Sequence, residues 1–132
     1  MIKFVSYKLV FIFFMYLFIT SSSSCEDITE PILDNEKVEL VAPINGVISK
    51  ENQQNLFWNS LDKQANYELQ VVSPRFDSIV KLILDTTINK NIYSINIDSG
   101  SYEWRVRAVN NSSYSKFSDS WKLIIVENEH VE

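Results

Sequence analysis

A chain of 132 residues, 45% hydrophobic and 22% charged, predicts a single domain. Its net charge of −5 argues against nucleic acid, which is bound through clustered Lys and Arg. With one cysteine, no intramolecular disulfide exists, and with one histidine the usual nucleophile-and-base pairs and metal ligand sets are hard to assemble.

The first 24 residues differ from the rest. Lys3 and Lys8 make a basic start, residues 9–19 (LVFIFFMYLFI) are unbroken apolar, and Ser21, Ser22, Ser23 and Ser24 lead to Cys25. That order is a secretory signal, since a bilayer span needs about 20 apolar residues. An uncleaved membrane anchor is the alternative, and it too exports the remainder. Cys25 after this small-residue run resembles the modified first residue of a bacterial lipoprotein, with Ser22 where that family usually has Leu. The resemblance implies acyl chains on Cys25, a lipid-anchored place in the outer membrane and the membrane as a partner. Each buried methylene contributes about 0.8 kcal/mol, and more than one chain makes the anchoring stable. Loss of Lys3 and Lys8 with the signal leaves ten basic against seventeen acidic residues, a net charge of −7. Residues 25–36 (CEDITEPILDNE) are acidic and show no period, so they read as a tether. Glu26 and Asp27 resemble the signal that sends some lipoproteins to the outer surface of the cell, or belong to an ordinary solvated linker.

From residue 37 to 126 apolar residues alternate with polar ones, the signature of strands. Val38, Leu40 and Ala42 share one face before Pro43 and the turn Asn45-Gly46. Leu56 and Trp58 share a second, and Tyr67, Leu69 and Val71 alternate with Glu68 and Gln70 up to Pro74. Residues 79–84 form a more uniformly apolar strand, then Tyr93, Ile95 and Ile97 alternate toward Gly100. Tyr102, Trp104, Val106 and Ala108 alternate with Glu103, Arg105 and Arg107. After a loop at 110–113, Trp121, Leu123 and Ile125 make the last inward row, and residues 127–132 are a polar tail holding His130. Seven short strands with turns between them predict an all-β sandwich.

Trp58, Tyr67-x-Leu69-x-Val71 and Gly100-x-Tyr102-x-Trp104-x-Val106-x-Ala108-x-Asn110 resemble a fibronectin type III domain, an immunoglobulin-like seven-stranded sandwich. The resemblance covers nearly all of residues 37–126. It implies that Tyr102 is the corner tyrosine whose hydroxyl bonds backbone just upstream. The family usually has proline before the glycine of this turn, where this chain has Ser99. Signal, acidic tether and sandwich together are similar to the N-terminal part of starch-utilisation surface lipoproteins.

No catalytic constellation, cofactor site or metal site stands out. The carboxylate pairs Asp77 with Asp85 and Glu68 with Glu103 read as solvated acids on outward faces. Trp58 and Trp104 share parity with apolar rows and read as core; Trp121 is divided between core and surface. Arg105 and Arg107 face outward beside Phe117-Ser118-Asp119-Ser120-Trp121, which resembles the arginine–aromatic ladder of cytokine-receptor sandwiches. Arg105, Arg107, Tyr114, Phe117 and Trp121 are therefore the candidate partner surface, with Phe57 and Phe76 as further candidates for an exposed patch and the last strand a candidate free edge. Asp77-Ser78-Ile79 and Asp85-Thr86-Thr87 resemble sites at which some bacteria O-glycosylate exported proteins. The expected function is a non-catalytic interaction module on the cell envelope, an accessory or adaptor lipoprotein binding another envelope protein. The alternative is a glycan-binding surface lipoprotein, which needs two or three coplanar exposed aromatics. A bare apolar edge strand favours protein instead.

Overall fold

In the computed structural model, residues 29–61 and 63–129 are described. The signal segment 1–24, Cys25, Glu26, Asp27 and His130 lie outside them. The described residues form eight strands: β1 (Leu40–Ala42), β2 (Val47–Ser49), β3 (Gln53–Trp58), β4 (Asn66–Arg75), β5 (Ser78–Ile88), β6 (Ile92–Asn96), β7 (Gly100–Val109) and β8 (Trp121–Ile125). They form two sheets, a three-stranded one ordered β1-β3-β6 and a five-stranded one ordered β2-β8-β7-β4-β5. The all-β sandwich expected from the alternation is what the chain adopts.

Alternation works here because successive side chains of a strand point to opposite faces. On β4, Tyr67, Leu69 and Val71 pair with Ala108, Val106 and Trp104 of β7, and all six are buried. Leu56 and Trp58 face them from the other sheet, and Trp58 meets the Tyr67 ring edge-on with centroids 5.8 Å apart. Leu123 and Ile125 of β8 complete the row.

The corner at the start of β7 closes as the family resemblance implies. The Tyr102 hydroxyl donates to the Asp98 carbonyl at 2.8 Å, and burial together with the Asp98 carboxylate pushes its pKa up. Gly100 has φ +155, and a Cβ there would stand 3.3 Å from that hydroxyl. Tyr102→Phe should therefore lower stability by about 1 kcal/mol in urea unfolding, the net value of one such bond.

Three expectations are corrected. The first strand stops before Pro43 as expected, but beyond the turn at Asn45-Gly46 a further strand follows that the seven expected did not include. β1 pairs antiparallel with β3, whereas β2 crosses to the other sheet and pairs parallel with β8, Val47 opposite Leu123 and Ser49 opposite Ile125. The turn is held by Gly46, at φ 82, whose N–H donates to the Lys122 carbonyl. Three residues are too few to display a period, so β2 is invisible without its partner. The second correction follows: the last strand is no free edge, because β2 covers it. The free edge of the five-stranded sheet beyond β4 is β5, where the apolar run 79–84 lies. Third, the acidic segment 25–36 is not a loose tether from Glu30 on. Leu33 is fully buried, and Lys63 pairs with Glu36.

Candidate interaction surfaces

The outer face of β4 and β7 carries the two arginines. Arg105 lies opposite Gln70 and Arg107 opposite Glu68. Gln70 Oε1 accepts from Arg105 Nε and Nη2 at 3.0 and 2.9 Å, and Glu68 accepts from Arg107 Nε at 2.6 Å. Rings fill the spaces between. The Arg105 guanidinium sits 4.1 Å from the Phe76 centroid and 4.0 Å from that of Phe117; Arg107 sits 4.6 Å from Phe117 and 4.5 Å from Tyr114. The stack therefore runs Phe76, Arg105, Phe117, Arg107, Tyr114. Burial, and Arg107 beside it, lower the pKa of Arg105, against the opposing pull of Glu68 and Asp85.

Phe117 is delivered into this stack by two serines that the sequence reading passed over. Residues 115–118 run beside β7 without forming a regular ladder. Ser115 N donates to the Ala108 carbonyl and Ser118 N to that of Val106, both at 2.8 Å. In return the Ser115 and Ser118 hydroxyls accept from the Ala108 and Val106 N–H groups at 2.9 and 3.0 Å. Each serine thus satisfies a buried backbone pair that a plain strand would otherwise have to meet. The spacing of two buried serines around an aromatic was the available signal.

Trp121 does not belong to this surface. It continues the inward row of Leu123 and Ile125, lies opposite Trp104, and meets that ring edge-on at 6.1 Å. Strand parity puts it on the other side of the sheet from Arg105 and Arg107. Tyr114 closes the stack and is exposed, whereas Phe117 is held between two guanidiniums. The carboxylates read as solvated pairs are also separated: Glu68 holds Arg107, Glu103 is buried and accepts from Phe76 N, and Asp77 pairs with Arg75. Among the described residues, no three His, Cys, Asp or Glu group as metal ligands do.

A second surface is the edge strand β5. Ile79, Val80 and Leu82 are 53%, 84% and 56% exposed. Two register shifts against β4, at Val71/Val72 and Ser73/Pro74, leave Ile83 and Val80 without partners. Such bulges twist an edge and interrupt its row of hydrogen-bonding groups. Ser78 is exposed beside the hairpin tip, whereas Thr86 pairs with Leu69 on the inner side and is half-buried. Of the two Asp-Ser/Thr motifs, the first is the accessible one.

No protein-family model and no curated protein sequence matches the chain. Solved structures do. A fibronectin type III domain of human fibronectin type III domain containing protein 3 superposes with a TM-score of 0.52 at 14% identity, covering 79% of this chain and 97% of that one. The chicken CNTN1 FN1–FN3 domains give 0.54 at 15% identity over 75% of this chain and 36% of that one. The fibronectin(III)-like modules of Clostridium thermocellum CbhA give 0.50 at 17% identity over 68% of this chain and 96% of that one. Likeness at this level of identity speaks for the fold alone.

Proposed function

Because the chain folds as a fibronectin type III-like sandwich, we propose that it is a non-catalytic interaction module, lipid-anchored in the bacterial outer membrane, that holds another envelope protein along β5. The observation that carries the reading is the exposed apolar edge at Ile79, Val80 and Leu82. Apolar side chains gathered on one edge mark a protein-binding site more often than chance exposure. The bulges disfavour pairing with a second β5, so the edge suits a partner that covers side chains rather than one that extends the sheet. The glycan alternative needs coplanar exposed aromatics, and Trp121 faces inward while Phe117 is enclosed.

A photo-crosslinking residue in place of Lys81, beside Val80 on the exposed run of β5, should capture one defined envelope protein in cells, and the same residue in place of Lys50, near the start of β3, should not. Val80→Asp should abolish that adduct and leave melting within a few degrees of the parent, since the side chain is exposed. A partner kept by Val80→Asp would falsify the assignment of the edge. The anchor is tested separately. Cys25→Ser should leave the precursor uncleaved or release soluble protein; unchanged membrane fractionation would contradict acylation.

A further inference from the structure

The segment that leaves Cys25 is gripped by the loop between β7 and β8. Every residue of that loop from 110 to 113 takes part. The Glu30 carboxylate accepts from Asn111 Nδ2 at 2.8 Å and from the Ser112 hydroxyl at 2.7 Å. The Pro31 carbonyl accepts from Asn110 Nδ2 at 2.7 Å, and Leu33 N donates to the Ser113 hydroxyl at 3.0 Å. Asn110 Oδ1 also accepts from the N–H groups of Ser112 and Ser113, so the loop has its shape independently of what it grips. Below the grip, the Leu33 side chain is fully buried. The bonds from Ser112 and Asn111 hold the Glu30 carboxyl below the usual carboxylate range.

This clamp sits at one end of the sandwich. Asn66 pairs with Val109 there and Tyr67 with Ile88, while β4 runs on to the hairpin at Arg75 and Ser78. Ten residues of strand put the hairpin about 33 Å away. Cys25 precedes Glu30 by five residues, which span at most about 18 Å. The outward side chains at the clamp suit a lipid interface. Ile32 is 69% exposed, and Tyr114, adjoining Ser113 of the grip, is 62% exposed. Tyrosine settles where an apolar body and a wet hydroxyl are both accommodated.

We infer that the clamped end of the sandwich is a membrane-contacting surface: Ile32 and Tyr114 seat among lipid headgroups, and the β4–β5 hairpin stands away from the bilayer. The inference rests on acylation of Cys25 and deepens the proposed function by setting the partner edge of β5 at the far end. A clamp near Glu30 gives the domain a fixed orientation that a tether running to residue 36 would not.

The test uses the acylated protein purified from membranes and placed in vesicles of phosphatidylethanolamine and phosphatidylglycerol. A thioether-linked Cys25 offers no thiol, so Asn89→Cys, just past β5 at the clamped end, and Asp77→Cys, at the hairpin, each carry one fluorophore. Headgroup-nitroxide lipid should quench the label at 89 several-fold more than the label at 77. Adding Glu30→Ala with Asn110→Ala should bring the two values together while flotation and melting stay near the parent. Equal quenching in the otherwise unchanged chain, with acyl groups present in the mass of the N-terminal peptide, overturns the orientation and leaves the anchor standing. A mass without acyl groups overturns both. A clamp variant that keeps the full difference overturns the role of the clamp.

Discussion

Trp104→Ala is expected to remove about 3–5 kcal/mol of stability, as large-to-small changes in a core do. Typical domains hold about 5–15 kcal/mol in all, so much of the population would unfold. Trp104 is fully buried on β7, which is paired on both sides, between Val71 of β4 and Trp121 of β8. No neighbour on those strands can move into the space without breaking a ladder. Trp58→Ala should cost about as much, because Trp58 is equally buried and packs across the sheets on Tyr67. Neither indole N–H has a hydrogen-bond partner among the described residues. Trp→Phe at either site removes that unpaired donor along with part of the volume, so its loss should be clearly smaller. Urea unfolding followed by far-UV circular dichroism reads all four variants. Ala variants that melt within a few degrees of the parent would show that the two rows do not form the core.

The pair Arg105→Glu with Arg107→Glu should be the next most damaging change, at roughly 2–4 kcal/mol, between the values for exposed and buried ion pairs. Four cation–ring contacts disappear, and Glu68 is left facing a carboxylate where it held a guanidinium. Both members of that ion pair are mostly buried, with side chains 24% and 16% exposed, so salt would rescue little. Arg107→Lys keeps the charge but not the planar group that stacks between Phe117 and Tyr114, and should lose about 1 kcal/mol. A double variant with parental melting and a lost partner would return this face to the status of a docking surface. Loss of melting temperature with the β5 adduct retained at low temperature identifies it as a structural ladder.

The inward rows were legible from residue order alone. Tyr67, Leu69 and Val71, and Tyr102, Trp104, Val106 and Ala108, declare their common face because alternation is a property of neighbouring residues. The sandwich and the outward arginines follow from the same local information, whereas the tyrosine corner was implied by the family resemblance. The arrangement of edges does not. Val47–Ser49 became a strand only by meeting β8, and that contact turned the last strand from an edge into an interior one. The apolar run 79–84 carries the same composition whether buried or bare, and its place beyond β4 left Ile79, Val80 and Leu82 exposed. Trp121 was divided between two faces until Trp104 appeared opposite it. The clamp joins Leu33 to Ser113, eighty positions apart. Composition made residues 25–36 look like solvated linker, because a polar segment becomes ordered only when particular donors and acceptors elsewhere in the chain meet its own. Local pattern decides which way a side chain faces; pairing over long separations decides what stands in front of it.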